Sequence, residues 1–134
     1  SFPRSDYREA ADWIQAHMGE SSIVIHDNKL SYFPMEYYSP ELPQEFLADQ
    51  PGSSNDTFAL ASQEAMGIFP QPSIETAVEG HQDIFFVVFQ ETIDEYEQRL
   101  EDHPVISWLA DHCVEFMPEP IGDLLIYQCY GVHP

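Results

Sequence analysis

Tyr7, Ala10, Ala11, Ile14 and Met18 recur at three- and four-residue spacing, which is one face of an α-helix. Ser5 can cap its start, Asp6 and Glu9 suit the positive end of the helix dipole, and Gly19 is a stop. Ile23, Val24 and Ile25 then form a β-branched run that is apolar on both faces, as expected of a central parallel strand covered on both sides. It ends in a polar corner, His26, Asp27 and Asn28.

Leu30, Tyr32, Phe33, Met35, Tyr37 and Tyr38 crowd residues 30–38, a short helix or irregular aromatic segment interrupted by Pro34. Residues 42–47 suit an edge-like strand, and 48–57 read as a loop by composition. Helical pieces are expected over 58–79, broken around Gly67, Pro70 and Pro72, with Ser73 as N-cap of the last. The strongest strand signal, IFFVVF at 84–89, is again apolar on both faces. A helical region over 92–113 is split near Pro104, with Ile93, Tyr96 and Leu100, then Val105, Trp108 and Leu109, marking its buried stripe. VEFMPEP and DLLIYQCY, separated by Ile121 and Gly122, predict a terminal antiparallel pair.

Alternating helix and strand predicts an α/β fold, a three-layer, Rossmann-like arrangement with a small, mostly parallel sheet and helices on both faces. Right-handed crossovers place the strand at 23–27 beside that at 84–89, and the C-terminal antiparallel hairpin extends one edge. No internal repeat is visible. Neither buried strand is followed by GxGxxG or GxxxxGK[ST], so a nucleotide cofactor is not expected, and no other cofactor is implied.

At 134 residues the chain fits a single domain, 1–134, and 43% hydrophobic content is enough for a core. The charge balance excludes more than it suggests. Against 24 acidic residues stand only Arg4, Arg8, Lys29 and Arg99, a formal net charge of −20. Nucleic acid is not an expected partner, because phosphate backbones need clustered Lys and Arg, and anionic lipid surfaces are repelled for the same reason. Scarce Lys and Arg also fit a segment on the non-cytoplasmic side of a membrane. The longest apolar run, 84–89, is far below the roughly 20 residues that span a bilayer. No signal peptide is visible, and a start at Ser1 without Met suggests a processed product or an excised fragment, such as a soluble domain cut from a larger membrane protein.

Candidate chemistry is sparse. In open α/β sheets ligands bind at the carboxyl ends of strands, where His26, Asp27 and Asn28 would lie, yet such residues also cap strands and form turns without a ligand. Six histidines among 24 carboxylates could hold an adventitious divalent cation, but HExxH and HxH are absent, and His103, His112 and His133 read as exposed or terminal. No metal site is therefore assigned. The serines sit in turn contexts without a GxSxG elbow, and His112 and Cys113 would point about 100° apart on a helix. No catalytic residue is assigned. Cys113 and Cys129 are either two buried thiols or a disulfide, since near-symmetric pairing of the last two strands brings residue 113 close to 129 and 130; a bridge would imply an oxidising compartment. Tyr32, Phe33, Tyr37 and Tyr38 either cover one face of the sheet or form a docking surface that is half apolar and half wet.

The order DYREAADWI, SSIVIHDN, LSYFPMEYY, DIFFVVFQ, HPVISWLADH and GDLLIYQCY resembles the soluble C-terminal tail of GT-C class polytopic membrane glycosyltransferases, related to protein mannosyltransferases and the lipid A aminoarabinose transferase. The resemblance spans nearly the whole chain, each segment being a loose pattern. It implies an extracytoplasmic accessory domain of a transferase that uses a polyprenyl-phosphate-linked sugar. Its partners would be the transmembrane portion of its own parent chain and a glycan or lipid-linked acceptor, at the outer face of the cell membrane. The family's catalytic acid lies in a membrane-part loop that no position here matches, so none is carried over. The alternative is an independent acidic module that binds a ligand or cation at Asp27 and Asn28.

Overall fold

The computed structural model describes residues 3–48 and 70–133. Helix α1 spans Pro3–His17, strand β1 Ser22–His26, helix α2 Lys29–Tyr38 and strand β2 Gln44–Phe46. After the undescribed stretch come a single-turn helix α3, Ile74–Ala77, then strand β3, Asp83–Phe89. Helices α4, Gln90–Gln98, and α5, Pro104–His112, lead into strands β4, Cys113–Ile121, and β5, Leu124–Val132. The fold is mixed α/β around one five-stranded sheet of order β2-β1-β3-β5-β4.

The sheet is mixed. β1 pairs in parallel with β2 and β3, whereas β5 is antiparallel to both β3 and β4. β1 and β3 are central, which is why their apolar residues alternate into two different cores. Val24, Phe85 and Val87 join Tyr7, Ala10, Ala11 and Ile14 of α1 and Met35 of α2. Ile23, Ile25, Ile84, Phe86 and Val88 join Ile74 and Ala77 of α3 and Leu109 of α5. A strand buried on both faces has no polar side to show, and this accounts for the uninterrupted apolar runs.

Several local expectations are corrected. α1 begins at Pro3, not after a Ser5 cap, because proline presets the first helical φ and lacks only an N–H that would be unpaired there anyway. Pro34 lies inside α2 without ending it, giving up one backbone bond in a helix otherwise held by packing. The edge strand is shorter than 42–47. The helical pieces expected over 58–69 fall outside the described residues, while Ser73 does accept the N–H of Thr76 as an N-cap.

The largest correction concerns Leu100, which is 95% exposed and not part of a buried stripe. α4 stops at Gln98, and the Leu100 N–H donates to the Glu97 carbonyl while the Glu101 N–H donates to that of Tyr96. These two bonds form a Schellman stop whose C′ position usually holds glycine; here it is Leu100, with φ 55°. The helical period ends with the helix and does not carry Leu100 to the core.

At the other end, Gly122 starts the two-residue β4–β5 turn with φ 57°. The buried Asp6 carboxylate of α1 accepts the Asp123 N–H at 3.2 Å and so ties the first helix to the last hairpin. The β4–β5 register places Cys113 opposite Val132, three and two positions beyond the expected neighbours 129 and 130, and pairs Cys129 with Phe116. Cys113 and Cys129 are nonetheless joined by a disulfide, with their Cα atoms 5.6 Å apart.

Candidate functional site

The polar corner stands at the carboxyl end of β1, where the chain connections part. β1 continues into α2, in the first core, whereas β3 continues into α4 and α5, packed on the second core. Connections leaving on opposite faces from neighbouring strands open a crevice between the strand ends, the usual ligand position in such sheets. A cleft of about 1050 Å³ lies here, lined among others by Asp27, Asn28, Phe89, Tyr96, His103 and Trp108.

The three corner residues have separate fates. His26 is fully buried; its Nδ1 lies 2.8 Å from Ser31 Oγ and its Nε2 2.8 Å from Gln44 Oε1. Gln44 Oε1 can only accept, so Nε2 carries the proton and Nδ1 accepts from the serine hydroxyl. Burial pushes this ring down to about 4, the Gln44 bond offsetting part of the effect. His26 thus fastens α2 and β2 to β1 as a neutral ring. Asn28 is the N-cap of α2, its Oδ1 accepting the Leu30 N–H at 2.8 Å.

Asp27 lines the cleft and is paired across it. Its backbone N–H donates to the Val87 carbonyl, which fixes the corner against β3, and its Oδ1 accepts from His103 Nε2 at 2.9 Å. The histidine's other nitrogen, Nδ1, accepts the Val105 N–H at 3.1 Å as the N-cap of α5, so the ring is the neutral Nε2–H tautomer. His103 is therefore buried and not exposed as expected from its loop-like surroundings, and it is packed beside Tyr96 and Phe86. Sequence reasoning missed this pairing across 76 positions. A signal was present in His103-Pro104, since proline favours the first helical position and the residue before it is then the cap.

With both nitrogens engaged, the His103 ring has no lone pair left for a bound molecule. Among the described residues no three His, Cys, Asp or Glu side chains are grouped to hold a metal ion. The arrangement presents an oriented carboxylate to a cleft and does not assemble a nucleophile.

The aromatic set divides. Tyr32 and Phe33 pack against each other and against Phe46, and Tyr32 meets His26 edge-on. Burial, with Glu36 and Glu45 nearby, raises the Tyr32 hydroxyl. Tyr38 sits beneath the Arg8 guanidinium, 5.9 Å from its centre, and Tyr37 is 78% exposed. Tyr37 and Tyr38 meet edge-on, with ring centres 5.0 Å apart, so Tyr37 is the most exposed of a packed set.

Comparison with known proteins finds no matching family model, no matching curated protein and no matching solved structure. No helix among the described residues is long and apolar enough to cross a membrane.

Proposed function

We propose that this chain is a non-catalytic accessory domain of a polytopic membrane glycosyltransferase of the GT-C class, placed on the extracytoplasmic face and serving an enzyme that uses a polyprenyl-phosphate-linked sugar. The fold reading that goes with it is a three-layer, Rossmann-like domain, with α1 and α2 against one face of the sheet and α3 and α5 against the other. The observation that carries the proposal is how the polar corner is used. His26 and Asn28 are spent in holding α2 and β2, and His103 in holding Asp27, which fits a framework role for these residues.

Two further features support it. The Cys113–Cys129 disulfide suits an oxidising, non-cytoplasmic compartment. The segments of the resemblance fall on whole framework elements: DYREAADWI on α1, SSIVIHDN on β1 and its corner, DIFFVVFQ on β3 and HPVISWLADH on α5. The partners on this reading are the membrane-embedded part of the same polypeptide and a glycan or lipid-linked acceptor.

The test is the gene. An in-frame run of membrane-spanning helices encoded ahead of Ser1 is expected; a reading frame that opens near Ser1 with none would end the proposal. Turnover of a glycoside, ester or phosphate by the purified domain at an enzyme-like rate would overturn its non-catalytic half. The cleft favours a second reading, an independent acidic module that binds a ligand at the Asp27 corner.

A further inference from the structure

We infer that the cleft at the carboxyl ends of β1 and β3 is a binding site for a hydrogen-donating organic ligand that carries no phosphate or carboxylate, with Asp27 as its anchor and His103 as the residue that positions Asp27. The inference stands apart from the membrane-enzyme reading, since it uses only the geometry of the cleft.

Three observations combine. The cleft, of about 1050 Å³, is large enough for a small molecule and lies where the connections from β1 and β3 diverge. At its corner the Asp27 carboxylate has one oxygen bound to His103, whose ring is itself locked by the Val105 N–H, so the group is oriented before any ligand arrives. An acceptor held in place by a second, fixed group loses little freedom on binding, which is the condition for selectivity from a single bond. Asp27 also retains partial exposure, its side chain being 15% accessible, so its remaining acceptor capacity faces the cleft side.

The charges decide the class. Besides Asp27 the cleft carries Glu75, Glu91 and Glu95, against one cationic group, Arg99, which is partly engaged: Nε donates to Glu101 at 2.6 Å and the guanidinium lies 4.6 Å from the centre of the Tyr96 ring. His103 is neutral in the tautomer described. An anion would meet four carboxylates against a single guanidinium that is already paired with Glu101. Hydroxyl or ammonium groups would find charged acceptors, which make the stronger kind of hydrogen bond, beside the apolar surfaces of Tyr96 and Trp108.

The test is a titration of the isotope-labelled 134-residue chain, followed through its backbone amide and indole resonances. The probes are methyl α-glucoside as a neutral polyol, n-butylamine as an ammonium, and glucose 6-phosphate as an anion. Saturable shifts at Asn28, Leu30, Val105 and the Trp108 indole with the polyol or the amine, and none there with the phosphate, are expected; which probe acts names the source of the donors. Asp27→Asn, which keeps an acceptor for His103, should weaken that binding about tenfold with the spectrum otherwise folded. Glu95→Gln, at the exposed rim, provides a second variant and should weaken the amine more than the polyol. Shifts from the phosphate at the same residues, no saturable shifts from either donor, or unchanged affinity in Asp27→Asn would each overturn the inference.

Discussion

Replacing His26 with Gln should change how the protein's stability responds to pH, in addition to changing the stability itself. The ring is fully buried and held down to about 4, against an ordinary value of 6.5 for an exposed histidine. Above the ordinary value both folded and unfolded chains keep it neutral, and it contributes no pH dependence. Below it the unfolded chain takes up a proton that the folded one refuses, so stability is lost as pH falls from about 6.5 towards 4, where the loss is complete. At pH 5.0 the proton-binding terms of the two states differ by a factor of about thirty, which is about 2 kcal/mol. Glu36 and Glu45, both raised by burial, act in the opposite direction, and easing of the self-repulsion of a chain at −20 acts with them. The variant carries the same opposing terms, so its comparison with the parent isolates His26. Urea unfolding followed by Trp13 and Trp108 fluorescence at pH 7.5 and 5.0, both above the pI of 4.1, measures the difference. His26→Gln should be the less stable protein at pH 7.5, and the gap should shrink by about 2 kcal/mol at pH 5.0. A gap that stays constant or widens would refute the buried neutral ring.

Gly122→Ala should cost about 2–3 kcal/mol, because the turn needs φ 57° and the added Cβ would sit 2.2 Å from Asp6 Cγ. Combining it with Asp6→Ala should cost less than the sum of the two, and additive urea midpoints would contradict the contact. Converting Cys113 and Cys129 to Ser should lower stability by about 3 kcal/mol for a bridge closing 16 positions, read from the thermal midpoint under oxidising conditions. Leu100→Gly should raise stability by about 1 kcal/mol, since the Schellman position at φ 55° favours glycine and the leucine ring of contacts it would lose is absent at 95% exposure; a lower melting temperature would argue against it. Asn28→Ala should cost about 1 kcal/mol through loss of the α2 cap, measured by denaturant unfolding.

The framework was legible where a local pattern has one physical meaning. The β-branched runs in β1 and β3 could be buried only on both faces, and Ser73 caps its helix with its own hydroxyl. Reading failed where the pattern outlived its element: Leu100 continues the spacing of Ile93 and Tyr96, but the helix has already ended. It failed again at His103, whose neighbours are polar and loop-like although its ring is enclosed by Phe86 and Tyr96. Of the corner, its position after a buried strand was readable, and its division into two residues that hold α2 and β2 and one paired with His103 was not.

Element type, the two-faced burial of the central strands, the −20 charge and the lack of nucleotide or nucleophile motifs all follow from the order of the residues, because each depends on neighbours a few positions apart or on composition alone. Strand order, the register that sets Cys113 across from Val132 while its sulfur meets Cys129, and the union of Asp27 with His103 needed the folded chain. Those features join positions far apart in sequence, and no local preference encodes a distance that exists only after the sheet has closed between them.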